Sequence, residues 1–303
     1  MHRPVLYQEI IHALRPGRNG FYIDATLGAG GHAQGILEAS RPDGSLLGLD
    51  VDPQALELAR ARLASFGARV ILVRASYITL SEQVDILGRK NVDGIMFDLG
   101  VSSMQLDQPE RGFSFQADAP LDMRFDPDNP IRAYDLVNEL PESDLADVIY
   151  RYGEERYARQ VARAIVQARP VFTTQQLANL VARVTSGGRK GLHPATRTFQ
   201  ALRIAVNREL EGLEMALPQA LSVLAPGGRL AVIAFHSLED RIVKQYFRRE
   251  SKDCVCPPGQ PVCTCGHKAI IREITRRPIR PGPEEISQNT RARSARLRVA
   301  EKL

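Results

Sequence analysis

The chain has no tryptophan, few other aromatic residues and only four cysteines, all between Cys254 and Cys265. Disulfide bonds therefore cannot connect distant parts of the fold. No hydrophobic run approaches the ~20 residues of a membrane span, and the first residues hold no apolar core of the kind found in secretory signals. These absences predict a cytoplasmic protein whose fold depends on a hydrophobic core.

The composition is that of an ordinary globular protein. The 303 residues are 44% hydrophobic and 25% charged, which excludes a disordered chain, a collagen and a simple coiled coil. At ~150 residues per domain, the length predicts two domains, or one domain with a large insert.

Charge is distributed unevenly along the chain. The segment from Arg241 to Leu303 contains 15 Lys/Arg and 6 Asp/Glu, a balance of +9, against +5 for the whole chain. Such a basic segment favours a phosphate-rich partner. The alternative is a solvated basic face without a partner.

Four short apolar runs, separated by helical patterns, occupy the first hundred residues. The runs are FYIDAT (21–26), SLLGLD (45–50), RVILVRAS (69–76) and VDGIMFDLG (92–100). Buried strands that alternate with helices are typical of a parallel, doubly wound α/β sheet.

The pattern changes at about Gln105. Residues 105–210 show little strand signal and several helical segments, and strand patterns return at APGGRLAVIAFHS (225–237) and in two later segments, AIIREITRRPI and ARLRVAEK. We therefore predict a sheet domain formed by residues 1–104 and 211–303, interrupted by a helical insert over residues 105–210.

A glycine turn follows the first predicted strand. GAGGHA (28–33) fits the pattern G-x-G-x-x-[GA], whose glycines permit a tight turn and let a ligand approach the N-terminus of the next helix. Asp50, at the end of the second strand, is then the candidate for binding ribose hydroxyls, with Asp52 as its rival. The alternative is a purely structural turn followed by a helix-capping aspartate.

Asp24 helps to distinguish two possible cofactors. A dinucleotide and S-adenosylmethionine can both use such a turn, but a carboxylate at its mouth would repel a pyrophosphate and could pair with the ammonium of a methionine moiety. The turn LAPGGRL (224–230), which enters a late strand, also resembles a feature of methyltransferase sheets. Both features favour S-adenosylmethionine.

Asp98 ends the fourth predicted strand. Ligands of open parallel sheets bind beyond the carboxyl ends of the strands, so Asp98 should face the same crevice as the glycine turn. A carboxylate there can accept a hydrogen bond from an attacking amine and so orient its lone pair. A structural cap is the alternative for Asp98, and His236, after the fifth strand, is a second catalytic candidate.

Ten motifs together closely resemble the bacterial 16S ribosomal RNA (cytosine-N4)-methyltransferases, also called MraW-type. They are GAGGH, GLDVDP, DLGVSS with Gln105-Leu106-Asp107, ERGFSF, PLDMRFD, YGEER, HPATRTFQALRIAVN, LAPGGRL, FHSLEDR and NTRARSARLRVAEK. The resemblance extends from about His2 to Lys302. It implies a class I (Rossmann-like) methyltransferase fold with a helical insert for substrate recognition and a returning antiparallel C-terminal strand. The implied activity is N4 methylation of one decoding-centre cytidine.

The resemblance also implies site residues. Gly30, Gly31 and His32 match the family's cofactor loop, and Asp50 matches its ribose-binding acid. Tyr77 matches the family's aromatic residue beside the adenine. Asp98 and Gln105 match two further positions that contact the cofactor. The implied cofactor is S-adenosylmethionine, and the implied partner is 16S ribosomal RNA or the small ribosomal subunit. The oligomeric state is left open, a homodimer included.

The fourth strand departs from the pattern of many other amino-methyltransferases. Those enzymes follow an acid or Asn with two prolines and an aromatic residue, whereas this sequence has DLGV (98–101). No aromatic residue directly follows Asp98 to stack on the target base. Phe113, Phe115 and Phe199 are candidates for that role, each with core packing as the alternative.

Cys254, Cys256, Cys263 and Cys265 form two C-x-C pairs joined by PPGQPV. Four clustered thiolates suit a tetrahedral zinc ion, and His267 is a spare ligand candidate. Free thiols and a redox disulfide are the alternatives. The resemblance does not decide between them, because none of the matched motifs contains these cysteines.

Two functions of other classes are compatible with parts of the sequence. The G-x-G-x-x-A match suggests an NAD-dependent oxidoreductase, and the basic C-terminal segment suggests a non-catalytic nucleic-acid-binding module. We predict the RNA methyltransferase, with Asp98 as its catalytic residue.

Overall fold

The computed structural model describes residues 4–185, 193–260 and 262–303, so His2 and Pro261 lie outside the described residues. The helices are α1 (Tyr7–Leu14), α2 (Gly31–Ala39), α3 (Pro53–Leu63), α4 (Leu80–Ile86), α5 (Ser103–Leu106), α6 (Ala133–Glu139), α7 (Glu142–Gly153), α8 (Ala158–Gln167), α9 (Thr174–Val184), α10 (Thr196–Asn207), α11 (Glu209–Val223), α12 (Ser237–Glu250) and α13 (Pro283–Gln288). The strands are β1 (Phe21–Asp24), β2 (Ser45–Asp50), β3 (Val70–Arg74), β4 (Val92–Asp98), β5 (Leu224–Ala234), β6 (Ile271–Glu273) and β7 (Arg296–Lys302).

The chain divides into two compact units. The first comprises Met1–Gly100 with Leu210–Leu303, and the second comprises Val101–Glu209. The assignment of cofactor binding to the first unit and of substrate recognition to the second stays a prediction. Among the described residues, no helix is both long and apolar enough to cross a membrane.

The first unit is built on a seven-stranded sheet with the order β3-β2-β1-β4-β5-β7-β6. Strands β1 to β5 are parallel, and β7 lies antiparallel between β5 and β6. The helical insert lies between β4 and β5 in the sequence. This topology confirms the predicted α/β class I methyltransferase fold, with its helical insert and returning antiparallel C-terminal strand.

Hydrophobic residues cover both faces of this sheet because neighbouring residues of a strand point to opposite sides. On β1, Tyr22 packs with the cluster that includes Ile36 of α2, whereas Ile23 packs with the cluster that includes Leu217 of α11 and Phe247 of α12. All four residues of β1 are buried. Full burial on both faces explains why β1 appears in the sequence as a continuous apolar run.

The second unit is helical and has its own core. Leu145 of α7, Ile165 of α8, Leu177 of α9 and Leu202 of α10 are each fully buried in one hydrophobic cluster. The irregular stretch before α6 is held by polar contacts, in which the Arg124 guanidinium donates to the Asp122 carboxylate and to two backbone carbonyls. A separate core accounts for the compactness of this unit.

Candidate active site

Three aspartates lie at the carboxyl ends of adjacent strands. Asp24 ends β1, Asp50 ends β2 and Asp98 ends β4. Strand β1 lies between β2 and β4, so chain order reverses at this point of the sheet. Such a switch point is where open α/β sheets bind their ligands.

The loop from β1 to α2 has a backbone that favours glycine. Gly28 and Gly30 have φ angles of 51° and 75°, in the left-handed region that side chains disfavour. Gly31 begins α2, and a Cβ atom there would lie 2.5 Å from Cγ of Pro4. The absent side chain of Gly31 thus lets Pro4 pack closely, whereas no atom beyond its chain neighbours lies within 4 Å of the Cβ position of Gly28, so the turn is open there to a polar ligand ahead of the helix N-terminus.

The two rival aspartates have different roles. Asp52 is buried and caps α3, because its carboxylate accepts a hydrogen bond from the Gln54 amide at 3.0 Å. Asp50 accepts hydrogen bonds from the amides of Gly28 at 2.8 Å and Asp52 at 2.9 Å, which ties the glycine turn to the end of β2. Burial nevertheless raises the pKa of Asp50 to about 6. Of the two carboxylates, the Asp50 carboxylate is hydrogen-bonded to the glycine turn.

Asp24 is the most deeply buried of the three acids, with 1% of its surface exposed. Burial raises its pKa to about 7, and the charges of Asp98 and Asp50 add to the rise, while His32 and the Thr26 amide oppose it. The carboxylate is therefore easily protonated near neutral pH until a cation compensates its charge.

His32 and Asp98 carry buried polar atoms without hydrogen-bond partners in the described part of the chain. Both ring nitrogens of His32 and the Oδ1 atom of Asp98 have no hydrogen bond there, and Nε2 of His32 lies 3.5 Å from Oδ2 of Asp98. An unsatisfied buried group costs ~1–3 kcal/mol, so the arrangement is typical of a site that a polar ligand completes. Three carboxylates around this edge fit the ammonium and hydroxyl groups of S-adenosylmethionine and would repel a pyrophosphate.

Tyr77 begins a short 3₁₀ turn, Tyr77–Thr79, after β3. Its ring packs edge-on against Phe97 of β4, with the ring centroids 5.8 Å apart, and Gly212 of α11 also lies close to the ring. The ring is half-buried. This placement leaves part of an aromatic surface available beside the carboxyl ends of the strands, as a residue next to adenine requires.

The whole chain, residues 1–303, matches the family model described as the MraW methylase family. The chain belongs to this family. It is 53% identical over 302 residues to "Ribosomal RNA small subunit methyltransferase H" of Dehalococcoides mccartyi, covering 100% of this chain and 86% of that protein. It is also 53% identical over 305 residues to the protein of the same name from Thermomicrobium roseum, covering 100% and 94%. A solved rRNA methylase from Streptococcus thermophilus aligns over 100% of this chain and 99% of its own, with 13% identity and a TM-score of 0.45.

Membership in the MraW methylase family establishes an S-adenosylmethionine-dependent methyltransferase. It confirms the predicted enzyme class and decides against the oxidoreductase and the non-catalytic module. The roles of individual residues in this methylase depend on their geometry.

Gln105 belongs to the second unit, in the short helix α5. Its side-chain oxygen accepts a hydrogen bond from the Ser102 amide at 3.1 Å, and the Ser102 hydroxyl accepts one from the Gln105 amide at 3.2 Å. This reciprocal pair is a capping box that begins the helix. Gln105 is 5% exposed, and its predicted contact with the cofactor stays a prediction.

His236 is a helix cap in this methylase. Its Nδ1 accepts a hydrogen bond from the Glu239 amide at 3.4 Å, and the Glu239 carboxylate accepts one from the His236 amide at 3.2 Å. The two side chains thus begin α12. The Nε2 atom of His236 is buried without a hydrogen bond among the described residues and lies 3.1 Å from Oε1 of Glu239, so a catalytic role for His236 stays a prediction.

The three phenylalanines considered for base stacking pack among neighbouring rings. Phe113 stacks on Phe125 at 5.6 Å, and Phe115 contacts both Phe199 at 4.9 Å and His193 at 4.6 Å, measured between ring centroids. Phe199 is buried in the core of the second unit. Core packing, the alternative interpretation, therefore describes their contacts.

Part of the basic C-terminal segment has intramolecular partners. Arg298 is 4% exposed and pairs with Asp240 at 2.7 Å, and Arg296 pairs with the same carboxylate at 3.1 Å. Although burial acts to raise the pKa of Asp240, the hydrogen bonds and charges of Arg298 and Arg296 together outweigh it and the pKa is lowered. These two arginines stabilise the junction of α12 and β7. Other basic side chains in the segment are exposed, namely Arg248, Lys252, Lys268, Arg276, Arg277, Arg280 and Arg293.

The four cysteine sulfurs converge in the loop between α12 and β6. All four lie within 4.8 Å of one another, and all four thiols are free. Amides of Val255 and His267 each donate a hydrogen bond to the Cys265 sulfur at 3.5 Å, and these bonds lower the pKa of that thiol to about 6. The structure thus brings together the predicted metal-ligand set.

Two residues of the site were missed in the sequence. Thr26 accepts a hydrogen bond from the Asp98 amide at 2.6 Å through its hydroxyl and so joins the ends of β1 and β4. The Tyr7 ring stacks on His32 at 6.2 Å with an angle of 20° between the ring planes. A hydroxyl two residues after β1 was a detectable signal for Thr26, whereas nothing in the local sequence connects α1 with α2.

Proposed function

We propose that this MraW methylase transfers a methyl group from S-adenosylmethionine to the N4 amine of a decoding-centre cytidine in 16S ribosomal RNA. The names of the relatives support small-subunit RNA as the substrate, and the ten motifs support cytosine N4 as the target. The observation that carries the proposal is the unpartnered, buried Oδ1 of Asp98 at the switch point of the sheet.

The residues that would hold the cofactor are Gly30, Gly31, His32, Asp50, Tyr77, Asp98 and Gln105. S-adenosylmethionine supplies a methyl group on a positively charged sulfur. Asp24 is placed to take the ammonium group, because a cation would stabilise its buried charge. The Asp50 carboxylate accepts amide hydrogen bonds from Gly28 and Asp52, and a carboxylate has about four acceptor positions, so it can also accept a hydrogen bond from a ribose hydroxyl.

Asp98 would orient the target amine. The lone pair of the cytosine N4 amine is delocalised into the ring, so the nitrogen is a poor nucleophile until that conjugation is lost. A carboxylate that accepts a hydrogen bond from one N–H group of the amine stabilises the positive charge that develops on nitrogen, and it can then take the proton. His32, 3.5 Å from the other carboxylate oxygen, would help to keep Asp98 in position.

The reaction needs no covalent intermediate on the enzyme, because nitrogen attacks the methyl group directly. Alignment of the amine, the methyl carbon and the sulfur should matter as much as basicity. The cysteines are therefore not nucleophiles in this proposal. The second predicted bound group, a structural zinc ion at these cysteines, would take no part in methyl transfer.

The RNA must present the cytosine outside its stack. We assign recognition of the surrounding RNA to the helical second unit, and contacts with phosphates to exposed basic side chains of the C-terminal segment. Arg276, Arg277 and Arg280 follow β6 closely and are all exposed, whereas Arg298 is committed to Asp240. Exposed guanidinium groups that lie close together in the chain suit the phosphate backbone.

Methyl incorporation into small-subunit RNA tests the proposal directly. Purified protein is incubated with S-adenosylmethionine that carries a labelled methyl group, with naked small-subunit RNA in one arm and assembled subunits in the other. After digestion to nucleosides, the label should be found in N4-methylcytidine. Label in any other nucleoside, or in none from either substrate, would contradict the proposal.

A further inference from the structure

The loop between α12 and β6 converges on its own four thiols. The Sγ atoms of Cys254 and Cys263 are 3.5 Å apart, those of Cys263 and Cys265 are 3.6 Å apart, and those of Cys254 and Cys265 are 3.8 Å apart. Cys256 completes the set, with all four sulfurs within 4.8 Å of one another. Sulfurs this close can share one small occupant.

The sulfur separations match a single tetrahedral ion. With Zn–S bonds of ~2.3 Å and tetrahedral angles, two ligand sulfurs lie ~3.8 Å apart. A disulfide would need two sulfurs at ~2 Å, which the free thiols here do not show. A multi-iron cluster binds its cysteines through different iron atoms and so holds the sulfurs farther apart than a single ion does.

Backbone amides already point at the sulfurs. The Cys256 amide donates to the Cys254 sulfur at 3.4 Å, and the amides of Val255 and His267 donate to the Cys265 sulfur at 3.5 Å. Donors around the ligand atoms help to orient them towards a metal. The imidazole Nε2 of His267 lies 3.1 Å from the Arg249 carbonyl oxygen, so this nitrogen faces α12 rather than the sulfurs.

Hydrophobic burial does not hold this loop together. Val255 is 41% exposed and Val262 is 71% exposed, and no helix or strand occurs in the described residues between α12 and β6. The ends of the loop are joined by a hydrogen bond from the Ile270 amide to the Glu250 carbonyl at 2.9 Å. A closed loop without a core is typical of small structural zinc sites, whose fold depends on the metal.

We propose that Cys254, Cys256, Cys263 and Cys265 bind one zinc ion in a closed tetrathiolate site that folds the loop between α12 and β6. The site is structural, because four protein ligands leave no position for a substrate. It does not depend on the proposed methyl transfer, and the two can fail separately.

Metal analysis of protein purified without chelators or a histidine tag tests the site. We expect about one zinc ion per chain in the wild-type protein and in the control Val262→Ser, which changes an exposed side chain of the same loop. Cys265→Ser should lose at least ten-fold in zinc affinity. Iron in place of zinc, or zinc in amounts far below one per chain, would overturn the assignment.

A second measurement works even if Cys265→Ser fails to fold. Wild-type protein stripped of metal under reducing conditions is titrated with cobalt(II), whose absorption spectrum distinguishes tetrahedral thiolate coordination. Intense visible bands and sulfur-to-metal charge-transfer absorption that saturate at about one equivalent and disappear on adding zinc are expected. A spectrum of hydrated cobalt throughout the titration would refute the proposal.

Discussion

Two groups of converging polar atoms in the first unit differ in what holds them together. At the carboxyl edge of the sheet, Asp24 is 1% exposed and rests on strands that are buried on both faces. In the cysteine loop, three of the four cysteines are exposed and the fourth is half-buried. Packing preorganises the first group in the absence of a ligand, whereas in our proposal a zinc ion holds the second group together. Convergence of polar side chains alone therefore does not identify a catalytic site, and the catalytic role of Asp98 stays a prediction.

The largest expected effect is on the rate of methyl transfer. Asp98→Ala should lower the single-turnover rate by ~10²–10⁴-fold, the range typical of the removal of a general base. Asp98→Asn retains the shape and one acceptor oxygen but not the charge, and should fall between that variant and the wild type. Saturating S-adenosylmethionine separates the chemical role from cofactor binding.

Asp85→Ala is the matched control for Asp98, because Asp85 is an exposed acid at the end of α4. It should react at the wild-type rate. A wild-type rate in Asp98→Ala as well would show that the Asp98 carboxylate is not the catalytic group.

A smaller effect is expected on cofactor affinity. Asp50→Ala should weaken S-adenosylmethionine binding by about 10- to 100-fold, because hydrogen bonds to a charged acceptor contribute ~1.5–3 kcal/mol. Asp52→Ala should instead cost ~1 kcal/mol of stability because α3 then has no side-chain cap, with little change in affinity. Isothermal titration calorimetry measures the first variant and thermal unfolding the second. An unchanged dissociation constant in Asp50→Ala would remove Asp50 from the binding site.

Burial of Asp24 predicts a dependence of stability on pH. Its pKa is about 7 in the folded protein and near the ordinary value of 3.8 when unfolded. Between these values the folded state holds a proton that the unfolded chain has released, so the contribution of Asp24 to the free energy of unfolding falls as pH rises, by ~1.4 kcal/mol per pH unit. Asp50 acts with the same sign up to a pKa of about 6.

Asp24→Asn should flatten that decline, and calorimetric unfolding of the cofactor-free protein between about pH 4 and pH 8 measures it. Asp50 titrates in both proteins, so the difference between the two curves measures the contribution of Asp24 together with its electrostatic coupling to Asp50. Parallel curves for the variant and the wild type would assign the proton to another group.

The smallest effect is expected at the exposed basic surface. Replacing Arg276, Arg277 and Arg280 with Gln should reduce the slope of log affinity for RNA against log salt by ~0.7 for each phosphate group that the variant no longer binds. Lys90→Gln, a change at an exposed residue before β4, is the control. The same salt slope in the triple variant would mean that these arginines form only a solvated face.

The sheet and the positions of its acids were predictable because β1, β2 and β4 are largely buried and appear as apolar runs. Asp24, Asp50 and Asp98 each end such a run, and parallel strands bring those ends to one edge. The choice between Asp50 and Asp52 was not predictable to the same degree. Asp52 caps a helix, whereas Asp50 accepts a hydrogen bond from an amide of the glycine turn. The two residues are two positions apart, and only the direction of the backbone decides which of them faces the turn.

Contacts between distant segments could not be predicted from the sequence. Tyr7 stacks on His32 because α1 packs beside α2, and nothing in either motif indicates this. Net charge likewise counts Arg298 as a candidate for phosphate binding, although it is buried against Asp240, 58 residues earlier in the chain. The C-x-C pairs predicted a ligand set, but the approach of one pair to the other depends on the path of the loop between them.

The most direct test of the central claim is mass mapping of small-subunit RNA from cells that lack this protein. One N4-methylcytidine in the decoding centre should be missing, should return when the wild-type protein is supplied, and should remain missing when Asp98→Ala is supplied at the same level. A modification that persists in cells without the protein would contradict the assignment of this methyl transfer to the protein. Full restoration by Asp98→Ala would contradict the catalytic role of Asp98.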